Sequence, residues 1–153
     1  MLGTLDLSDI SNSPLPATFT ALAFDFGTHN IGVAVGQAIT RSASELPALK
    51  AKDGIPNWDK LGELLNEWQP HLVVVGLPLN MDGSEQELTR RARKFGNRIQ
   101  GMFGYKVEFF DERLTTRAAK EDALAQGHRG NFRDKPIDSI AAKLIFESWL
   151  NAY

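Results

Sequence analysis

The sequence predicts an α/β fold in which a mixed five-stranded sheet is flanked by helices. Three strand-like segments joined by short turns come first, and helical and strand-like segments alternate after them. The segment 71–77 (HLVVVGL) is an almost unbroken apolar run, which is typical of a parallel strand buried on both faces. An antiparallel meander that continues into parallel strands gives a mixed sheet, and the connecting helices cover its faces.

The strands are indicated by apolar, β-branched and aromatic composition and by the turn residues that bound them. The first is TALAFDF, and the turn GTHN joins it to the second, IGVAVGQA. The five strands are predicted at 20–26, 31–38, 40–50, 71–77 and 105–110.

Four helices are indicated by apolar residues that recur with a helical period and by residues that favour helix ends. Asn57 is a favourable N-cap for the first helix, and Pro70 ends it. Ser84 and Glu87 have the spacing of a capping box for the second. The second helix is predicted over 84–101, and the remaining two are predicted at 115–126 and 137–150. The core face of the first helix carries Trp58, Leu61, Leu64, Leu65 and Trp68.

The composition is that of one globular domain. The chain has 153 residues, 42% of them hydrophobic and 24% charged, which suffices for one core. Residues 1–19 are rich in Ser, Pro, Asn and Asp, so we expect a disordered tail before a domain over 20–153. The absence of cysteine excludes disulfides, thiolate metal sites and a cysteine nucleophile. No apolar run approaches the ~20 residues of a membrane helix and no secretory signal is evident, so a cytoplasmic location is expected.

The net charge of −2 does not by itself indicate a nucleic-acid-binding protein. Asp6 and Asp9 lie in the predicted tail, which contains no Lys or Arg, so the rest of the chain is neutral. A neutral domain can still bind nucleic acid if its charges are segregated into patches. The distribution of charge therefore matters more than its sum.

Three acidic positions stand out. Asp25 lies inside the strand ALAFDF, on the face opposite Phe24, where a carboxylate is costly unless something pairs with it. Asp111 and Glu112 follow the strand KVEFF, at the end where open α/β sheets place their sites, and only one of these neighbours can face a given pocket. Asp138 falls in the first turn of the last helix, before small residues that let the helix lie close to the sheet.

Each acid also has an ordinary structural explanation. Asp25 could cap the turn that follows it, and Asp138 favours the helix dipole. Glu112 could pair with Arg113 or Arg117. Considered alone, Glu112 is better explained by a structural role than by a functional one. For Asp25 the two explanations are about equally good.

Together, the three acids suggest a metal site. Two carboxylates held about 4 Å apart repel each other by about 4 kcal/mol at an effective dielectric constant of about 20. A divalent cation relieves this repulsion, and hard oxygen ligands favour Mg²⁺ or Mn²⁺. Two such ions about 4 Å apart can activate a water and stabilise the leaving oxygen of a phosphodiester. The acids therefore indicate a hydrolase, specifically a metal-dependent nuclease.

Several ordered motifs resemble one known family. The first pair is DFGT, from Asp25, with IGVA, from Ile31, and the second is VVGLP, from Val74, before NMDG, from Asn80. DERLT follows from Asp111, and the last motif is DS, from Asp138, followed by AA, from Ala141. In type and interval they are similar to the YqgF/RuvX family over about residues 20–151. The resemblance implies an RNase H-like fold related to Holliday-junction resolvases, and a nuclease that matures the precursor of 16S rRNA in ribosome biogenesis.

The same resemblance implies roles and partners. Asp25, Glu112 and Asp138 would be the catalytic residues and the ligands of Mg²⁺ or Mn²⁺. The substrate would be RNA, in a pre-ribosomal particle, or branched DNA, and the protein would act as a monomer or a homodimer. The apolar strand HLVVVGL ends without an acid, so the middle ligand must come from the next strand, at Glu112 or Asp111.

Basic residues near the acids in sequence could hold phosphate. The candidates for nucleic-acid binding are Arg113, Arg117, Arg129, Arg133 and Lys135. The loop 127–136 is predicted to be mobile and to fold over bound nucleic acid, because Arg suits phosphate and contacts of this kind position a substrate without specifying it. The alternative is a solvated surface, and the same two explanations apply to the helical stripe of Arg90, Lys94 and Arg98.

Two other functions fit parts of the sequence. The turn DFGTHNIG also resembles the phosphate-binding hairpin of actin-like ATPases and sugar kinases, but those proteins need two such domains and this chain has length for one. A non-catalytic RNA-binding or ribosome-assembly factor could retain the same fold. Metal-dependent cleavage separates the nuclease from both alternatives.

Overall fold

The computed structural model describes residues 15–115, 121, 125 and 137–153, with the side chains of the last segment described from Ser139 onward. In this part of the chain, a six-stranded sheet lies between two helices on one face and one helix on the other. The α/β class with a mixed sheet is confirmed.

The sheet has the order β4-β3-β2-β1-β5-β6. Its first four strands pair antiparallel, while β1, β5 and β6 are parallel to one another. The strands are β1 Thr20–Asp25, β2 Asn30–Gln37, β3 Ser42–Lys52, β4 Ile55–Pro56, β5 Leu72–Leu77 and β6 Val107–Asp111.

The predicted number of five strands is wrong, because the sequence analysis missed β4. This strand has only two residues, too few to show an alternating pattern, and it pairs with the end of β3. Asp53 and Gly54 form the turn between them, with φ of 50° and 80°. Glycine adopts that left-handed conformation without the steric cost that other residues pay.

Three helices are described: α1 Trp58–Trp68, α2 Glu87–Phe103 and α3 Ile137–Ala152. The predicted N-cap of α1 is confirmed, because the Asn57 side chain accepts hydrogen bonds from two backbone N–H groups of the first turn. The predicted capping box of α2 is wrong. The helix begins at Glu87, the N–H of Gln86 donates to Thr89 Oγ1 (3.2 Å), and Ser84 instead donates to Asp82 in the preceding loop (2.5 Å).

The helix predicted over 115–126 lies largely outside the described residues. Of that range the structure describes Thr115, Glu121 and Ala125, and the last two are helical.

The two faces of the sheet bury different residues. Leu22 and Phe24 of β1 pack under α1 and α2 in a large aliphatic and aromatic core. The opposite face carries small residues such as Ala21 and Ala23, and α3 packs there. A Cβ atom placed on Gly36 of β2 would lie 2.5 Å from the ring of Phe146, so α3 approaches this face closely.

The core begins before the first strand. Phe19 is buried between β1 and α3, where its ring makes edge contacts with Phe146 and Trp149, and Leu15 packs against the same cluster. The ordered domain therefore includes the last residues of the segment predicted as a tail. The rest of that segment, 1–14, is outside the described residues.

None of the helices in the described ranges is long and apolar enough to cross a membrane.

Candidate functional site

Asp25 is the last residue of β1 and is partly buried. Because side chains alternate along a strand, Asp25 shares the α3 face with Ala21 and Ala23. The register of β1 with β5 pairs Phe24 with Val75, so the next step sets Asp25 beside Gly76. Neighbouring strands lie about 4.8 Å apart, which leaves Asp25 next to whatever covers Gly76.

Glu112 covers Gly76. It is the first residue of a short 3₁₀ turn, Glu112–Leu114, that follows β6. A Cβ atom placed on Gly76 would lie 2.5 Å from Glu112 Oε1 and 2.5 Å from Ile145 Cδ1 of α3. The Glu112 carboxylate therefore lies over bare backbone on the same face as Asp25, in space that a side chain at position 76 would occupy.

Asp111, the alternative to Glu112, is held by another partner. Its carboxylate accepts hydrogen bonds from Arg113 Nε (3.1 Å) and Nη2 (2.7 Å), and its Oδ1 accepts the Arg113 N–H. These hydrogen bonds from Arg113 keep the pKa of Asp111 below its ordinary value, and the contact raises the pKa of Arg113. The geometry thus favours Glu112 over Asp111 as the partner of Asp25.

The Arg113 side chain makes hydrogen bonds within the protein. Besides its bonds to Asp111, its Nη1 donates to the Met81 carbonyl (3.3 Å), and its guanidinium lies 3.3 Å from a Cβ placed on Gly83. The guanidinium thereby ties the loop between β5 and α2 to the end of β6. Arg113 remains exposed, so a contact with phosphate would have to share it with Asp111.

Asp138 is the second residue of α3, and the structure describes its backbone only. The next residue, Ser139, is fully buried. The N–H of Val33 in β2 donates to Ser139 Oγ (3.2 Å), and the Ser139 hydroxyl donates to the Leu46 carbonyl of β3 (2.5 Å). The ladder between β2 and β3 has an irregular register at this point, so the hydroxyl bridges backbone groups of two strands.

This bridge fixes where α3 begins. Val33 follows Gly32, which pairs with Asp25 across the β1–β2 ladder. The first turn of α3 is therefore anchored at the end of the sheet where Asp25 lies. The structure thus places Glu112 on the face that carries Asp25, one strand away, and sets the backbone of Asp138 at the same end of the sheet.

Ser139→Ala is expected to destabilise the protein by about 1–3 kcal/mol, because it leaves a buried N–H and a buried carbonyl without a partner. The amide of Val33 should also exchange with solvent faster than in the wild type. Urea unfolding and hydrogen exchange measure the two effects. Ser148→Ala is the control, since Ser148 is on the same helix and, among the residues that the structure describes, its hydroxyl accepts a single long hydrogen bond, from Thr115 (3.3 Å). Equal losses in both variants would contradict the bridge.

The oxygen donors present suit a hard divalent cation. The Glu112 carboxylate lies above Gly76 and Asp25 ends the adjacent strand on the same face, and Mg²⁺ and Mn²⁺ prefer carboxylate ligands of this kind. Among the described side chains, no group of three or more His, Asp or Glu residues is arranged to hold a metal ion. Asp138, the third predicted ligand, is not one of those side chains.

The sequence analysis missed two residues of this site, Gly76 and Ser139. A glycine inside the apolar run VVVGL was the available signal for the first, since an isolated glycine in a strand often marks a close approach. Ser139 had no comparable signal. Among the predicted phosphate-binding residues, Arg117, Arg129, Arg133 and Lys135 lie outside the described residues.

Two comparisons of sequence place the chain among known proteins. The profile of the RuvX family, described as Holliday junction resolvase, matches residues 19–152. A protein of Saccharophagus degradans named "Putative pre-16S rRNA nuclease" is 65% identical over 130 residues, which are 85% of this chain and 92% of that protein. A protein of Chromohalobacter salexigens with the same name is 62% identical over 128 residues, 84% of this chain and 86% of that one.

Solved structures share the fold at low sequence identity. RuvC of T. thermophilus, in complex with a Holliday junction substrate, matches with a TM-score of 0.59 and 18% identity over 88% of this chain and 94% of that chain. The fowlpox virus resolvase, in complex with Holliday junction DNA, matches with a TM-score of 0.50 and 15% identity over 87% and 97%. These likenesses concern the fold alone.

The sheet order and the placement of the helices thus define an RNase H-like α/β protein, as predicted. The chain belongs to the RuvX family, which confirms the resemblance drawn from its motifs.

Proposed function

We propose that this protein is a metal-dependent nuclease that hydrolyses phosphodiester bonds in the precursor of 16S rRNA. The observation that carries the proposal is the carboxylate of Glu112 lying over Gly76, on the same face as Asp25 and one strand away. Two acids held together at a strand end form a site for a cation and not a packing contact. The names of the Saccharophagus and Chromohalobacter relatives support the RNA substrate.

Asp25, Glu112 and Asp138 would hold Mg²⁺ or Mn²⁺. When bound, such an ion would supply Lewis-acid chemistry, since it would polarise the phosphate and lower the pKa of an attacking water. Asp25 and Glu112 provide the negative charge that attracts the cation, and the close packing of Ile145 limits access of water from the α3 side. Ser139 sets the first turn of α3 and thereby the position from which Asp138 acts.

Partners and location follow from this activity. The substrate would be RNA of a pre-ribosomal particle in the cytoplasm. Arg117, Arg129, Arg133 and Lys135 would contact its phosphates, and Arg113 would do so while bound to Asp111. A monomer suffices for trimming one strand, whereas symmetric cleavage of a junction would need a homodimer.

Cleavage of branched DNA is the second candidate function. The description of the RuvX family as Holliday junction resolvase favours it. Both candidates use the same acids, so only the choice of substrate separates them.

The test compares a labelled 16S rRNA precursor with a labelled four-way DNA junction, using protein freed of metal by EDTA. We expect cleavage of the RNA on addition of Mn²⁺ or Mg²⁺ and none while EDTA is present. Preferential cleavage of the junction would support the second candidate. Binding of the RNA without cleavage under any metal would contradict the proposal and indicate a non-catalytic assembly factor.

A further inference from the structure

Two adjoining depressions flank the turn between β3 and β4. The first is a cavity of about 270 Å³ between that turn and α2, and Phe26, Trp58 and Phe95 form its apolar wall. The second is an open groove of about 990 Å³ along the end of β3 and the start of α1. Ile55, which is 55% exposed, lines both, so the two share a wall.

The lining of these depressions is strongly basic. It contains six lysines and arginines against a single carboxylate, Asp53: Lys50, Lys52, Lys60, Arg91, Lys94 and Arg98. The whole chain has a net charge of −2, so this concentration reflects segregation of charge on the surface. We call these six residues the basic surface.

One of the six cations is held in place and the others are available. Arg91 Nη2 donates to the backbone carbonyl and to Oδ1 of Asp53, the latter at 3.1 Å. Lys94 and Arg98 are exposed and form no ion pair or hydrogen bond with any residue that the structure describes, and the same is true of the side chains of the three lysines of the groove. Free cations at a concave surface attract polyanions.

The basic surface lies at the same end of the sheet as the acids. Phe26, in the cavity wall, directly follows Asp25, and its side chain points to the opposite face. The turn after Phe26 is hydrogen-bonded to the end of β3 and the turn after it, the segment that carries Lys50 and Lys52 of the basic surface. The N–H of Gly54 donates to the Thr28 carbonyl (2.9 Å), and the N–H of Ala51 donates to the His29 carbonyl (2.8 Å). A nucleic-acid strand that crosses this end of the sheet would meet the acids on one side and the cations on the other.

We infer that the basic surface binds the phosphate backbone of the nucleic-acid strand that reaches Asp25 and Glu112. This inference rests on the proposed nuclease function, because it assigns the surface to that substrate. Nucleic acid fits better than an acidic protein, since the cations lie at the end of the sheet that carries the proposed nuclease site. Contacts of lysines and arginines with phosphates position a strand without carrying sequence information, so we expect binding here to be largely independent of sequence.

The test measures binding of a labelled single-stranded RNA to metal-free protein in EDTA, over a range of salt concentrations. Each phosphate contact with a single strand contributes about 0.7 to the slope of log K against log salt. The double variant Lys94→Gln/Arg98→Gln should therefore lower the slope by about 1.4, and Lys50→Gln/Lys52→Gln should do the same. Because no metal is present, the measurement does not depend on cleavage.

The matched control is Arg41→Gln/Arg90→Gln, which removes the same charge from exposed residues that line neither depression. We expect its slope to stay closer to that of the wild type. A slope unchanged in both basic-surface variants, or reduced equally in the control, would overturn the inference. If the slopes change as expected while no substrate is cleaved with metal, the surface binds nucleic acid and only the proposed catalytic function fails.

Discussion

Asp25→Asn is expected to lower metal-dependent cleavage by at least about 10³-fold while binding of RNA is retained. Metal-dependent stabilisation of a phosphoryl transition state amounts to several kcal/mol, and each 1.4 kcal/mol or so corresponds to a tenfold rate. Asparagine keeps the shape of the side chain but removes the charge that, in the proposed mechanism, would hold the cation. Single-turnover cleavage with saturating Mn²⁺, together with binding in EDTA, measures both quantities.

Stability distinguishes this catalytic role from a structural one. Asp25 and Glu112 lie on the same face over neighbouring strands, so a cation bound by both would stabilise the folded state. A cation at about 100 times its Kd would stabilise the wild type by about 2.7 kcal/mol, and the variant should lose that increase.

The control for Asp25→Asn is Glu108→Gln. Glu108 pairs with Val74 in the β5–β6 ladder and precedes Glu112 by four positions, so it is a carboxylate of the same sheet outside the site. Its neutralisation should leave metal-dependent cleavage per folded molecule unchanged. A fully active Asp25→Asn, or an equal loss in both variants, would show that Asp25 is not a metal ligand.

Gly76→Ala is expected to lower cleavage by about 10²-fold per folded molecule. The added Cβ would lie 2.5 Å from Glu112 Oε1, at the end of a flexible side chain, and 2.5 Å from Cδ1 of the buried Ile145. Overpacking against Ile145 is expected to lower the free energy of unfolding by about 1–3 kcal/mol. The carboxylate cannot keep its place, and a displacement of about 1 Å can cost about 10²-fold in rate.

Gly36→Ala is the matched control. Its Cβ would lie 2.5 Å from three ring atoms of Phe146, which is fully buried between α3 and the sheet. Overpacking of this kind destabilises by about 1–3 kcal/mol. Gly36→Ala should thus lower the unfolding temperature but keep its activity per folded molecule, whereas Gly76→Ala should lose that activity. If Gly76→Ala keeps full activity, the site does not need Glu112 above Gly76.

Most of the elements could be predicted because hydrophobic periods are local. The alternation in TALAFDF places Asp25 opposite Leu22 and Phe24, and the structure keeps that division between the two faces. Helix α1 begins at the predicted cap, Asn57. The start of α2 was misplaced because Ser84 bonds to Asp82 within the loop, and short-range patterns do not distinguish a cap from a turn.

The site could be predicted only in part. The motifs indicated the family of the chain and predicted Asp25, Glu112 and Asp138 as metal ligands, and they left Glu112 and Asp111 as alternatives. Arg113 decides between these two neighbours by binding Asp111, and Gly76 makes room for Glu112. The sequence pattern Arg90, Lys94, Arg98 was also only partly informative, since Arg91 and not Arg90 lines the cavity with the other two.

The sequence by itself determined the α/β class, the faces of the strands and the membership in the RuvX family, because these depend on periods and motifs within short segments. Only the tertiary structure decided that Glu112 lies above Gly76, that Ser139 bridges β2 and β3, and that cations from three separate segments form one basic surface. Each of these depends on the register between strands and on helix packing, which arise from contacts between residues far apart in the chain.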